Sequence, residues 1–67
     1  MRLKKLLRKI DKDTYVSIGF DGDCVCTCKV SELDEKMLEC RNKVVSVGAG
    51  VVYGKTTEPK VNIFCKL

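Results

Sequence analysis

The chain has no histidine and no tryptophan, a single proline, and only two tyrosines and two phenylalanines. Without histidine the commonest general base near neutral pH is missing, and with it the Ser/His and Cys/His nucleophile pairs and the mixed Cys/His zinc sets. Long hydrophobic runs are missing too. The longest uncharged stretch, Val44 to Gly54, is eleven residues with three glycines, against the ~20 needed to span a bilayer as a helix. The Lys- and Arg-rich start is followed by no apolar run of about 7 to 15 residues and no small-residue cleavage site, so export is not expected and a cytoplasmic location is.

At 67 residues the chain reads as one domain, residues 1–67, near the lower limit of what folds without a disulfide or metal staple. A chain of this size has no room for both a core and a deep cleft. The expectation is therefore a protein that is not an enzyme, with no catalytic residues, no cofactor and no metal.

The net charge of +4 is concentrated at one end. Residues 1–12 hold Arg2, Lys4, Lys5, Arg8, Lys9 and Lys12 against Asp11 alone, while the remaining 55 residues carry seven bases and eight acids. In the same segment Leu3, Leu6, Leu7 and Ile10 fall at i, i+3, i+4 and i+7, the stripe of an amphipathic helix over residues 2–10. So short a helix must dock to be stable.

Tyr15 to Phe20 alternates as a half-buried strand, with Val16, Ile18 and Phe20 on one side. Asp21-Gly22-Asp23 marks a hairpin, and Cys24 to Val30 alternates again. A two-residue Asp-Gly loop would pair Phe20 with Asp23 and Ile18 with Val25. An odd loop with Gly22 in a bulge position pairs Ile18 with Cys24 and Val16 with Cys26, making one continuous apolar face, and the burial pattern favours it. Ser31 reads as the N-cap of a second helix with Leu33, Met37, Leu38 and Cys40 inward, closed by Arg41 and Asn42. Val45 and Val47 alternate with Val44, Ser46 and Gly48 as a third strand, Gly48 and Gly50 suggest a bulge or close backbone approach, and Gly54 to Pro59 is a polar loop. Val61, Ile63, Cys65 and Leu67 form the inward face of a last strand. The expected fold is α+β in the order αββαββ, a small, mostly antiparallel four-stranded sheet with two short helices on one face.

Five cysteines in such a chain raise the question of a metal site or a disulfide framework. The odd count and the expectation of no export argue against disulfides. On a strand Cys24 and Cys28 stand about 13 Å apart, whereas thiolates sharing a zinc lie within ~4 Å. Cys24, Cys26, Cys28 and Cys65 are best read as small core hydrophobes. Gly48-Ala49-Gly50 near Gly54-Lys55-Thr56 lacks the spacing and following helix of a phosphate loop. It fits a bulge or an interface. Asp21 and Asp23 are turn residues.

Two surfaces remain. Lys4, Lys5, Arg8 and Lys9 lie on the outer helix face, and Arg2, Lys5, Arg8 and Lys9, with Arg41 and Lys43, are the candidate anion-binding residues. No aromatic residue is interleaved with them, so nucleic acid is a less expected partner than a protein or a nucleotide-type ligand. The uncharged run from Val44 to Tyr53 offers apolar side chains to both faces of its strand, where a sheet this small normally covers one. A homodimer or higher oligomer is expected there, through Val44, Val52, Tyr53 and Phe64 with Tyr15. Two copies meeting along this strand could also form a site between them.

The opening LKKLLRKIDKDTYVSI, the turn FDGD and the phrase KVSELDEKMLECRNKVVSV resemble small uncharacterised proteins of phages and prophages of Gram-positive gut bacteria. Those typically run as a basic helix, a strand, a turn, a short acidic helix and two final strands. The resemblance implies a virus-encoded accessory protein that antagonises a host system by binding, either inhibiting a host protein or taking up a nucleotide signal. A nucleic-acid-associated regulator, a cysteine-based metal module and a virion component are the alternatives.

Overall fold

A computed structural model describes residues 1–54 and 57–67. Part of the expected polar loop, Lys55 and Thr56, lies outside the described residues. The elements are α1 (Leu3–Lys9), β1 (Tyr15–Phe20), β2 (Asp23–Lys29), a 3-10 turn (Val30–Glu32), α2 (Glu35–Leu38), β3 (Val44–Val52) and β4 (Glu58–Cys65). They form one four-stranded sheet in the order β2-β1-β4-β3. Both hairpins are antiparallel, and the central pair, β1 with β4, is parallel. The α+β architecture and the αββαββ order are those read from the sequence.

The core follows from that central pairing. Val16 sits beside Val61 and Ile18 beside Ile63, and Leu3 and Leu7 of α1 complete a buried cluster with Val30, Leu33 and Cys65. Leu6 and Ile10 flank it, half-buried. Among the described residues no helix covers the other face of the sheet, where Tyr15, Ser17 and Gly19 lie with Asn62 and Phe64. None of the helices among the described residues is long and apolar enough to cross a membrane.

The first hairpin corrects the expected register. Phe20 pairs with Asp23 across a two-residue Asp21-Gly22 turn, and both turn residues have positive φ, 50° and 89°. That is the backbone that Asp-Gly favours, because its twist matches the strands. The register then shifts beyond Gly19–Cys24, leaving Val25 as the extra residue, so that Ile18 pairs with Cys26 and Val16 with Cys28. The turn chemistry and the burial pattern are thus both satisfied, and the bulge reconciles them. One consequence is that Cys24 is not a core residue. It is exposed on the bare face, while Cys26 and Cys28 are half-buried against the core and Cys65 is buried.

Three smaller expectations are also corrected. Ser31 does not cap a helix, because it lies within the 3-10 turn and α2 begins only at Glu35; its N–H donates to the Lys12 carbonyl (3.0 Å) and Val30 N–H to that of Thr14 (3.1 Å), tying the turn to the α1–β1 connection. The N-cap of α2 is Asp34, whose Oδ1 accepts from Met37 N–H at 2.9 Å. Leu67 is not an inward strand residue, since β4 ends at Cys65 and Leu67 is 79% exposed. The bulge in β3 falls at Val45, between Val44–Cys65 and Ser46–Phe64, rather than at a glycine. Gly50 does make the close approach expected of one of these glycines, an added Cβ meeting Asn62 Nδ2 at 2.8 Å.

The start of the chain is held by the segment between α2 and β3. Arg2 forms an antiparallel bridge with Lys43, and Val44 N–H donates to the Met1 carbonyl at 2.9 Å. The N–H groups of Leu3 and Lys4 donate to the carbonyls of Asn42 (3.0 Å) and Cys40 (2.7 Å). The first donors of α1 are therefore capped by backbone, which otherwise falls to a side chain or water.

Candidate functional site

That docking brings together two groups of basic residues far apart in sequence. Arg2, Lys4, Lys5 and Arg8 from the start of the chain and Arg41 from the α2–β3 connection line an open groove of about 590 Å³. Helix spacing places Lys4 and Arg8 one turn apart, with Lys5 and Arg8 exposed on the side away from the buried Leu3 and Leu7, while Arg2 is the extended N-cap residue just before the helix. Arg41 is brought in by the backbone bonds above and by Arg2 itself, whose Nη1 donates to the Arg41 carbonyl at 3.2 Å. A second hollow of about 460 Å³ shares Arg2 and Arg41 and adds Asn42, Lys43, Lys66 and Leu67. Asn42 buttresses it, donating from Nδ2 to the Lys66 carbonyl at 2.9 Å.

Glu39 is the acid beside this surface. Its Oε2 lies 2.6 Å from Lys4 Nζ, the one ion pair among the described residues. The Lys4 hydrogen bond and charge hold the Glu39 carboxyl below its ordinary range, and the charges of Arg8 and Arg41 act in the same direction. Among the described residues Arg2, Lys5, Arg8 and Arg41 have no acidic partner. The groove is a set of donors with no acceptor side chain among its lining residues. Planar guanidinium forks suit bidentate pairing with phosphate or carboxylate oxygens, and lysine adds a mobile point charge.

Of the six anion-binding candidates, Arg2, Lys5, Arg8 and Arg41 converge on the first groove, and Lys43 belongs to the adjoining hollow. Lys9 lines neither. Lys4 and Lys66 were not among the candidates. Helix spacing from Arg8 was signal enough for Lys4, whereas Lys66 reaches the site only because its N–H donates to the Lys43 carbonyl (2.9 Å), a pairing 23 residues apart that local sequence does not announce.

The expected interface residues are dispersed. Val44 packs against the protomer's own core, Val52 and Phe64 are half-buried, and Tyr53 is 82% exposed. Tyr15 is half-buried beneath Lys29, whose Nζ lies 5.5 Å from the ring centroid.

On the bare face Ser17 Oγ lies 3.0 Å from both Cys24 Sγ and Thr27 Oγ1. Hydrogen bonds from Ser17 and then Thr27 push the Cys24 thiol below its ordinary value, with help from the Lys60 charge. Burial raises Cys26, Cys28 and Cys65. The bulge separates Cys24 from Cys26 and Cys28 by the thickness of the sheet, so the C-x-C-x-C run does not gather on one side.

Compared with known protein families, curated proteins and solved structures, the chain matches none.

Proposed function

We propose that the protein is a non-catalytic binding protein that takes up a phosphate-bearing nucleotide in the groove formed by Arg2, Lys5, Arg8 and Arg41. The observation that carries this reading is the convergence, from two distant segments, of four basic side chains that have no acidic partner among the described residues, while Lys4 is neutralised by Glu39. A solvated helix face explains Lys5 and Arg8. It does not explain Arg41 held against the same face by the Arg2 hydrogen bond. The groove is open to solvent and lined by five basic residues, and a di- or triphosphate supplies enough negative charge to satisfy several guanidinium forks at once. The same chemistry fits the role that the resemblance implies, a phage-type accessory protein that acts in the host cytoplasm by sequestering a nucleotide signal.

Calorimetric titration with a nucleoside triphosphate, with inorganic phosphate as control, tests the reading. Binding is expected to weaken tenfold or more in the Lys5→Glu/Arg8→Glu protein, since hydrogen bonds to charged groups contribute about 1.5–3 kcal/mol each, and the nucleotide is expected to be recovered unhydrolysed. No heat with the wild-type protein at low salt, or unchanged affinity in a folded double variant, overturns it. Tighter binding of an oligonucleotide, falling steeply with salt, replaces it with the nucleic-acid reading.

A further inference from the structure

The two edges of the sheet differ. The β2 edge carries Asp23, Lys29 and the Val25 bulge, which are the usual protections against edge-to-edge pairing. The β3 edge is nine residues long, Val44–Val52, with no charge and no proline. At its start it is covered, because Met1 and Arg2 pair with Lys43 and Val44. From Ser46 to Val52 its outward backbone groups have no partner strand among the described residues. Val47, Ala49 and Val51 are on the helix side, paired with Ile63, Val61 and Pro59. Neither helix reaches them: Val47 is 55% and Val51 40% exposed.

We propose that this free edge pairs antiparallel with β3 of a second copy about a two-fold axis at Ala49, joining two four-stranded sheets into one. The occupant is identified by the sequence of the edge itself. Val47-Gly48-Ala49-Gly50-Val51 reads the same in both directions. An antiparallel partner centred on Ala49 therefore sets Val47 against Val51, Gly48 against Gly50 and Ala49 against Ala49, with Ser46 opposite Val52. Facing residues in an antiparallel pair share a face, so the exposed valines of both copies meet on the helix side as one apolar strip. No like charges oppose, and the covered start of the strand ends the pairing at Ser46. An added Cβ at Gly48 meets nothing within 4 Å, so no contact inside the protomer calls for glycine there, while the seam it would line lies between the copies. This interface is the edge of the sheet, distinct from the half-buried Tyr15 and Phe64 on its bare face, and it is independent of the anion groove.

The register makes the test specific, because Val47 of each copy faces Val51 of the other. Mass in solution is measured by sedimentation or light scattering for the wild type, Val47→Glu, Val51→Lys and an equimolar mixture of the two variants. Circular dichroism confirms that each variant is folded. The expected result is a dimeric wild type, a twofold lower mass for each variant alone, and recovery of the dimer on mixing, when Glu faces Lys across the seam. A monomeric wild type, an assembly larger than a dimer, variants that stay dimeric, or a mixture that stays monomeric each overturns the proposal. Because nucleotide titration reads the other site, the two readings fail separately.

Discussion

The ring of Phe64 lies over Gly19, its partner across the parallel β1–β4 pair. A Cβ built on Gly19 would stand 2.9 Å from the ring carbons Cδ1 and Cε1 and 2.8 Å from the Asp23 carbonyl oxygen. The ring can shift; the carbonyl, fixed in the hairpin, cannot. Gly19→Ala is therefore expected to lower stability by about 1–3 kcal/mol, the usual range for overpacking. A urea midpoint equal to that of the wild type would refute this.

Cys24 is exposed and its thiol is lowered by hydrogen bonds from Ser17 and Thr27. Since the thiolate is the reacting species, Cys24 is expected to be alkylated by iodoacetamide before the other four cysteines, with peptide mass mapping as the readout. Ser17→Ala removes the largest of these contributions and should shift the pH profile of Cys24 alkylation upward. An unshifted profile would show that the hydroxyl does not hold the thiolate.

The three buried or half-buried thiols act on stability in the opposite direction. Burial raises Cys26, Cys28 and Cys65 in the folded chain, so the unfolded chain loses those protons first as pH rises. Their contribution is fully present below the unfolded thiol value, about 8.5, and is lost as pH climbs from there through the folded values. Cys24, lowered, opposes this as a single group. The urea midpoint should hold up to about pH 8 and fall as pH is raised further, and Cys65→Ser should flatten the fall. A midpoint that rises over this range would contradict the assignment.

Glu39 neutralises Lys4 at the rim of the cationic groove. Glu39→Gln releases that charge, and nucleotide affinity is expected to rise severalfold with a steeper dependence on salt. An exposed pair adds little to folding, so the melting temperature should hardly change. Weaker binding in this variant would mean that Glu39 itself contacts the ligand.

Local sequence rules carried much of this fold because the forces they describe act between neighbours. The Leu3, Leu6, Leu7, Ile10 stripe orients α1, and the alternation of Val16 and Ile18 and of Val61 and Ile63 marks both central strands. At the hairpin two local rules disagreed. Asp21-Gly22 called for a two-residue turn, and the burial of Cys26 and Cys28 called for the other register. Neither rule contains the bulge at Val25, which relieves the conflict at the cost of one unpaired residue and turns Cys24 to the bare face. Likewise Ser31 had the chemistry of a cap, but the 3-10 turn Val30–Glu32 delays the helix to Glu35, and Asp34 Oδ1 is the oxygen that accepts from Met37 N–H.

By itself the sequence determined the composition of each surface: a cationic first helix, an uncharged third strand with a palindromic centre at Val47–Val51, and a chain without the usual catalytic base. Tertiary structure decided which of these pieces meet. The parallel pairing of β1 with β4 is specified by no local signal, because it depends on covering one apolar face with α1. Once α1 is docked, its first backbone donors are satisfied by the carbonyls of Cys40 and Asn42, and that requirement sets Arg41 beside Arg2. A sequence lists the charges; the need to satisfy buried backbone groups decides which of them share a groove.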